Sequence, residues 1–499
     1  MTKRKLSNTI WIMITIVFVG LCIYMLFKNL GEGYLIQTDE AYHATNVYEM
    51  YKQGNWLINT YRYATDYFNS KPPLVLDIMI LSFKVLGVSG FAARFPSAIG
   101  GLFTLIAVMT FLLYKKKRYA AALYPILFCA CTPLFSFHMY RAAEMDAWYN
   151  FFFVLAMLSL YLMEEHPNFM YCYGLNLGLA FMCKGPHAAL IFLIGLLYIP
   201  KIHKAFKSAK RVVISVILAS IMPIAWMIKR AMFDGTNLLK ALFLGEVTYR
   251  VSQSKQFVIE PISDFFKLNV CFIFYAVLVI GIILWAGDKK YFTGSSLTGL
   301  KNFLGDNYLF ILWIATPLVF FTVTGSFLTW YTYTSQIAMC IFSAVFGEWC
   351  IKVLGRDRML AKALVVAAII GFSLWFVVPC IRDVIAVAGK GGHPVDNFTN
   401  DIKEFREEYG DSYADYNAYL IADWRINYAD LAHWEPEYVA PAEMYGNLIC
   451  VEGTIDNFLA DPHSILILDK NKWDEYSQIL TGHVILHDNS YLIFSSDMY

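Results

Sequence analysis

Charge is what this sequence has least of. Asp, Glu, Lys and Arg make up 16% of its 499 residues, where soluble domains carry about 25%. Hydrophobic residues account for 58% and the mean hydropathy is +0.49, so an ordinary soluble domain is excluded for the bulk of the chain. The ten cysteines include no CxxC pair and fall mostly within apolar runs. Neither a zinc ribbon nor a disulfide framework is indicated, and they are expected to pack within the membrane. A phosphate-binding loop is missing too: the "GKGGH" at 389–393 lacks the GxxxxGK[ST] spacing, the preceding strand and the following helix.

Long apolar runs are what the chain has instead. The amino-terminal "MTKRKLSNTIWIMITIVFVGLCIYMLF" outlasts the apolar region of a signal peptide and is followed by no small-residue cleavage site, so it is read as a retained span. Further runs lie at about 95–114, 119–137, 148–163, 169–183, 186–200, 212–228, 268–286, 307–323, 334–351 and 363–380, which makes eleven. With that count "MTKRK", "KKKR" at 115–118, "KIHKAFKSAKR" at 201–211, "DKK" with Lys301, and "IKVLGRDRMLAK" at 351–362 fall on one side. Basic flanks resist translocation, so that side is assigned to the cytoplasm together with the amino terminus.

The alternate gaps, "TDEAYHA", "NSKPPL", "MYRAAEMDAW", "CKGPH", "LGEVTYRVSQSKQ" and "GSFLTWYTYTS", then face outward. One such loop is commonly a connector; six on one face suggest the wall of a site. After the last span the Gly- and Pro-containing "AGKGGHPVDNF" resembles a linker, and residues 396–499 hold 20 acids against 5 bases, which argues against nucleic acid. Apolar patches such as "AYLIAD", "NLICVEG", "SILILD" and "YLIFSS" predict short strands. The expected fold is therefore a polytopic α-helical membrane protein with about 11 transmembrane helices over 1–385, followed by a small extracytoplasmic α/β domain over 396–499. Trp424, Trp434 and Trp473 are read as core residues of that domain.

The ordered set DE after the first span, KPPL, RFPSA, R-x-x-E-M-D and KGP resembles the membrane glycosyltransferases of the GT-C fold. It is most similar in motif order to the lipid A 4-amino-4-deoxy-L-arabinose transferases and the dolichyl-phosphate-mannose protein mannosyltransferases. The resemblance covers roughly the first 250 residues in motif order. It implies a sugar donor on a polyprenyl phosphate, since nucleotide sugars are not available outside the cytoplasm, and a glycan, lipid or protein acceptor.

The same resemblance assigns roles. Asp39 matches the first-loop aspartate, a base or acceptor-orienting group, Glu40 completes that motif, and Asp146 lines the same cavity. Read without it, Asp39 and Glu40 are a solvated helix start. Lys71, fixed before two prolines, is the first expected ligand of the donor phosphate and Arg250 the second, with Arg94, Arg141 and Lys184 as further candidates. Each is also explicable as an interfacial anchor. Glu144 is expected to pair with Arg141 at i, i+3. His43, one turn after Asp39, is a possible orienting group for it, and Tyr331 is the matching late-loop tyrosine.

Two departures narrow the implication. The aminoarabinose transferases bind a metal through a Glu before the KP lysine and a His after a loop glutamate, where this chain has Ser70 and Val247. That metal site is therefore not expected, and the sequence supports no cofactor, a divalent metal included. Thr329 and Trp330 stand before Tyr331 in place of that family's lysine, so lipid A is not implied as acceptor. Rival readings are a polysaccharide polymerase or ligase using lipid-linked sugars, and a secondary transporter, which would place charge near the midplane and show repeated halves. A sensor is disfavoured because no large cytoplasmic unit is present.

Overall fold

The computed structural model describes residues 3–35, 38–136, 138–244, 257–268, 294–353, 371, 374–375, 377–386, 394–421, 426–428, 431–434 and 436–498. Val247, Arg250 and most of the apolar runs at 268–286 and 363–380 lie outside them. Among the described residues six stretches are long and apolar enough to cross a membrane: Thr9–Phe27, Gly90–Tyr114, Asp146–Met163, Phe169–Leu197, Ala209–Asp234 and Thr329–Lys352. Two shorter apolar helices, Arg118–Ala130 and Tyr308–Thr324, accompany them. Side chains such as Ile16, Val17, Val216, Ile224 and Ile228 are exposed on this bundle, which suits a surface facing lipid rather than water. The chain is a multi-pass membrane protein.

The helices that position the site are α1 (Lys3–Phe27), α2 (Thr38–Gln53), α3 (Leu74–Leu86), α4 (Gly90–Tyr114), α5 (Arg118–Ala130), α6 (Asp146–Met163), α7 (Phe169–Lys184), α8 (Ala189–Leu197), α9 (Ala209–Asp234), α10 (Tyr308–Thr324) and α11 (Tyr333–Val353). Local chemistry sets several of their ends. Ser89 and Ser208 cap α4 and α9 by accepting from Ala92 N and Arg211 N, which satisfies donors that a helix start leaves open. The apolar run read at 119–137 breaks at Cys131, Thr132 and Pro133, so α5 ends at Ala130. Gly185, at φ +57, adopts a left-handed conformation that favours glycine, and the chain turns back there: Tyr173 of α7 donates to Ile191 O of α8 at 3.0 Å. The stretch 169–197 is thus two antiparallel arms rather than one span. α7 packs closely on α9, where a Cβ on Gly174 or Gly178 would meet Ser215 O at 2.3 Å or Ala219 O at 2.7 Å. Small residues four apart permit such backbone contact.

This up-and-down order sorts the helix ends into two groups. At one end Lys115 pairs with Glu165 at 2.7 Å, Arg211 reaches Asn168 at 3.1 Å and Lys117 reaches Asn307 at 3.4 Å. At the other end lie the starts of α2, α4, α6 and α11 and the α7–α8 turn.

The residues after the bundle build a mixed five-stranded sheet: β1 (Asn417–Ile421), β2 (Ile449–Cys450), β3 (Ser464–Asp469), β4 (His483–Asp488) and β5 (Tyr491–Met498), in the order β2-β1-β3-β5-β4. β2 and β3 flank β1 in parallel, and β5 pairs antiparallel with β3 and β4. Alternate residues serve opposite faces, as strand geometry requires. Ala418, Leu420, Ile465 and Ile467 pack with Phe398, Ile402 and Phe405 of α12 (Pro394–Tyr409), whereas Tyr419, Ile421, Leu466 and Leu468 form the second cluster. Trp473 stacks on Phe494 in that second cluster, with centroids 5.7 Å apart. Trp424 and the side chain of Trp434 lie outside the described residues.

This unit sits at the site end. Its α13 (Pro436–Met444) packs on α2, and Asn29 donates to Val384 O and Ile385 O, in the helical segment that precedes the unit, at 3.4 and 3.3 Å. The Tyr445 hydroxyl accepts from Gly90 N at 3.0 Å, and Tyr48 and Lys52 of α2 both donate to Asn447 at 2.9 and 2.7 Å. Glu49 of α2 and Glu443 of α13 are buried side by side in the seam.

Candidate active site

Consecutive residues on a helix point about 100° apart, and the two acids at the start of α2 divide accordingly. Glu40 turns inward and accepts from Arg94 Nε and Nη2 at 2.8 and 3.0 Å and from Ala143 N at 2.8 Å. Arg94 spends its remaining donors on Leu30 O, Glu32 O and Tyr34 O at 3.2, 3.0 and 2.7 Å. Glu40 and Arg94, expected as a catalytic acid and a phosphate ligand, are therefore committed to each other and to backbone, and they pin the start of α2. Asp39 turns the other way, and its side chain is 44% exposed.

Lys71 reaches the same place from the 59–73 loop. Asn59 holds that loop by donating to Asn69 O and Lys71 O at 2.6 and 3.3 Å, and Asn69 donates to Asn46 of α2 at 2.8 Å. Pro72 and Pro73 then lead directly into α3, which fixes the backbone at the lysine. Its ammonium lies 3.5 Å from His43 Nε2. The place of His43 one turn along α2 suggests a contact with Asp39; instead the His43 Nδ1 faces Glu144 Oε2 and Ala143 O, both at 3.3 Å. An ammonium on Nε2 and a carboxylate on Nδ1 assign the proton to Nδ1.

Glu144 does not pair with Arg141. Its second oxygen faces His138 Nδ1 at 3.1 Å, and His138 Nε2 points to Asp39 Oδ2 at 4.0 Å. Burial alone would raise the Glu144 carboxyl; the His138 and His43 imidazoles outweigh it and hold the group well below the usual carboxylate range. The converse holds for His138, which burial would lower but which Glu144, then Asp146 and Asp39, raise above its ordinary value. Arg141 donates to Met25 O, Leu26 O and Asn29 O at 2.7, 3.2 and 3.4 Å, which satisfies open carbonyls at the end of α1. It is a helix cap here rather than a phosphate ligand.

Asp146, the first residue of α6, accepts from Lys184 Nζ at 2.6 and 2.7 Å, and both are buried. The lysine lies 5.2 Å from the Tyr331 ring centroid and 5.9 Å from that of Tyr149. Lys184 is thereby neutralised in place, and the pair with Tyr331 forms a wall of the site. Arg250 and Val247 lie outside the described residues. Ser70 is buried beside Lys71.

Asp39, His138 and Glu144 each offer a ligand atom within 4.8 Å of the others, as do Asp401, Glu404 and His487 in the sheet unit. In the first group each Glu144 oxygen already faces an imidazole nitrogen, which is the arrangement of a counter-ion. In the second, Asp401 is engaged by Tyr491 N and Asn489 at 2.8 and 2.9 Å, which fixes a turn.

His138 was the residue missed by sequence reasoning. It precedes the R-x-x-E-M-D motif by only a few residues, but nothing in the sequence announces that it folds back onto Glu144. Its ring stacks on Trp330 at 3.8 Å and 8°, a contact between residues nearly two hundred positions apart.

Comparison with known proteins bears on the fold that carries these residues. Residues 70–242 match the family model described as dolichyl-phosphate-mannose-protein mannosyltransferase. The undecaprenyl phosphate-alpha-4-amino-4-deoxy-L-arabinose arabinosyl transferase of Yersinia pestis (strain Pestoides F) is 25% identical over 382 residues, which is 74% of this chain and 64% of that protein. The chain thus aligns with a little under two thirds of the relative's length. An uncharacterised protein of Aquifex aeolicus is 24% identical over 365 residues, 70% of this chain and 67% of the relative. Among solved structures, ArnT from Cupriavidus metallidurans superposes with a TM-score of 0.66 in the apo state and 0.64 bound to undecaprenyl phosphate, at 15% identity. The apo match covers 98% of each chain. The chain therefore has the GT-C fold of membrane glycosyltransferases, and resembles the aminoarabinose transferases and the protein mannosyltransferases within it.

Proposed function

We propose that this protein transfers a sugar from a polyprenyl-phosphate donor to an acceptor hydroxyl at the outer membrane surface, with inversion at the anomeric carbon. The observation that carries the reading is Lys71. Arg94 and Lys184 each have a carboxylate partner, and Arg141 is spent on carbonyls. Among the described residues no carboxylate pairs with Lys71, although it is held in a rigid loop beside the helix that bears Asp39. A fixed ammonium with an open side suits an anionic ligand that arrives with the substrate. That the ArnT structure was solved with undecaprenyl phosphate supports a prenyl phosphate in this role, and Arg250 is proposed as the second cation.

In the proposed step the acceptor oxygen attacks the anomeric carbon as Asp39 takes its proton. The bond from that carbon to the phosphate oxygen breaks with its electron pair, leaving polyprenyl phosphate whose added negative charge Lys71 stabilises. Asp39 then releases the proton to water. One open carboxylate suits a single in-line displacement, because Glu40 and Asp146 are each bound to a cation and cannot serve as a second nucleophile. The basic end of the bundle opposite the site favours placing that end in the cytoplasm, with the carboxy-terminal sheet unit outside.

The reading is tested with purified protein in lipid nanodiscs supplied with a synthetic polyprenyl-phosphate sugar and a panel of acceptor alcohols. Transfer with inverted anomeric configuration, read by NMR of the product, is expected. Retained configuration would remove the single-displacement mechanism. No transfer from any lipid-linked donor would remove the function.

A further inference from the structure

Asp39 has an exposed side chain near the beginning of a helix, where several rotamers are open to it, yet a base must be aimed to within a fraction of an ångström. The structure supplies the group that can aim it. His138 is fixed from three sides. Its backbone lies in the left-handed region, at φ +54, a conformation uncommon for residues other than glycine and concentrated at functional sites. Its ring lies flat on Trp330 at 3.8 Å. Its Nδ1 meets Glu144 Oε1 at 3.1 Å, and Glu144 is itself held by His43 Nδ1 at 3.3 Å. Its Nε2 lies 4.0 Å from Asp39 Oδ2.

Resting on the function proposed above, we infer that His138 is a positioning residue: a Glu144-bound imidazolium that orients the Asp39 carboxylate toward the acceptor. The charged groups around it favour that form. Glu144, Asp146 and Asp39 all act to raise its proton affinity, and the cations nearby are already balanced, Lys184 by Asp146, or directed elsewhere, Lys71 toward His43. A hydrogen bond requires the 4.0 Å gap to shorten, and the exposed Asp39 side chain has the rotamer freedom for it. In that position the carboxylate keeps its second oxygen for the acceptor proton.

The imidazolium is present at low pH and lost as pH rises through the folded value, which lies above the ordinary value of about 6.5. Transfer by the parent protein should therefore have an alkaline limb set by His138. Two variants test this. His138→Asn keeps a side chain that tolerates the left-handed backbone. Glu144→Gln keeps the shape of the carboxylate but removes the charge that stabilises the imidazolium. For His138→Asn, kcat is expected to fall about tenfold to a hundredfold, with donor KM unchanged and the alkaline limb gone. For Glu144→Gln the limb should move to lower pH. Folding is checked by size-exclusion profile and by retained binding of polyprenyl phosphate, which neither variant should lose. A parent enzyme active in transfer, with His138→Asn showing the parent kcat and pH profile, overturns the inference alone. So does a parent-like profile in Glu144→Gln. A parent inactive at every pH overturns the function and this inference with it.

Discussion

Arg94 and Glu40 face each other inside the protein with two hydrogen bonds of 2.8 and 3.0 Å, one residue away from the carboxylate proposed to do the chemistry. Adjacent acids in one motif thus have different surroundings, Glu40 buried in an ion pair and Asp39 partly open to solvent.

The consequence is a contrast in stability. Removing one partner of a buried ion pair strands the other and costs about 3–5 kcal/mol. Glu40→Ala and Arg94→Leu should unfold at clearly lower temperature and express poorly, whereas Asp39→Asn should melt like the parent. Thermal unfolding in detergent measures it. A Glu40 variant with parent stability and no transfer would return Glu40 to the reaction itself.

Asp39→Asn keeps the side-chain shape but cannot accept a proton. Loss of a general base costs about a hundredfold to ten-thousandfold in rate, while loss of an exposed charge near a helix start costs about 0.3–1 kcal/mol. Turnover should fall into the first range with prenyl phosphate binding intact. Turnover close to the parent would make Asp39 a solvated helix start.

For Lys71→Ala, losing a charge-assisted hydrogen bond to the donor phosphate should cost about 1.5–3 kcal/mol, roughly tenfold to a hundred-and-fiftyfold in kcat/KM. Lys71→Arg should recover part of it. Equal kcat/KM in the alanine variant, measured with a defined lipid-linked sugar, would reduce Lys71 to an interfacial anchor.

Glu49 and Glu443 make the seam between α2 and α13 sensitive to pH. Burial pushes the Glu49 carboxyl up to about 7 and pushes Glu443 up as well, further raised by its neighbour. Arg62 opposes the shift at Glu443 and the Tyr63 and Arg62 backbone opposes it at Glu49. A carboxyl raised on folding stabilises the fold fully below its unfolded value and loses that contribution as pH rises through the folded one. Docking of α13 on α2 should thus weaken from about pH 4.5 to beyond pH 7. Protection of the α2 amides, taken relative to the intrinsic exchange rate at each pH, should fall over that interval, and Glu443→Gln should flatten the dependence. Protection in α2 that is independent of pH in the parent would show that the pair shares no proton.

The helical pairs around the site and the strands at 417–421, 464–469 and 491–498 were legible in the sequence, because apolar runs and period-two alternation are local signals. The motif acids and Lys71 were legible as residues that converge on one end. Their divisions of labour were not. Whether Arg94 meets a substrate phosphate or Glu40, and whether Glu144 meets Arg141 or two histidines, depends on which helices become neighbours. Burial then decides the pairing, since an unpartnered charge inside the bundle is too costly to keep. The end of α5 at Ala130 was hidden for a different reason: hydropathy carries no mark for a break at Cys131 to Pro133 within a continuously apolar run.

Helix α2, which bears Asp39 and His43, takes one wall from α13 and the turn after it, where Tyr445 meets Gly90 and Asn447 meets Tyr48 and Lys52. These partners belong to opposite ends of the chain. During synthesis the bundle therefore exists for a time with that wall missing, and the helix bearing the proposed base gains its final support only after the sheet unit has been made and has folded back. A chain cut before α13 would keep the Lys71 loop and the Glu40–Arg94 pair but lose the contacts that Tyr445 and Asn447 make to Gly90, Tyr48 and Lys52.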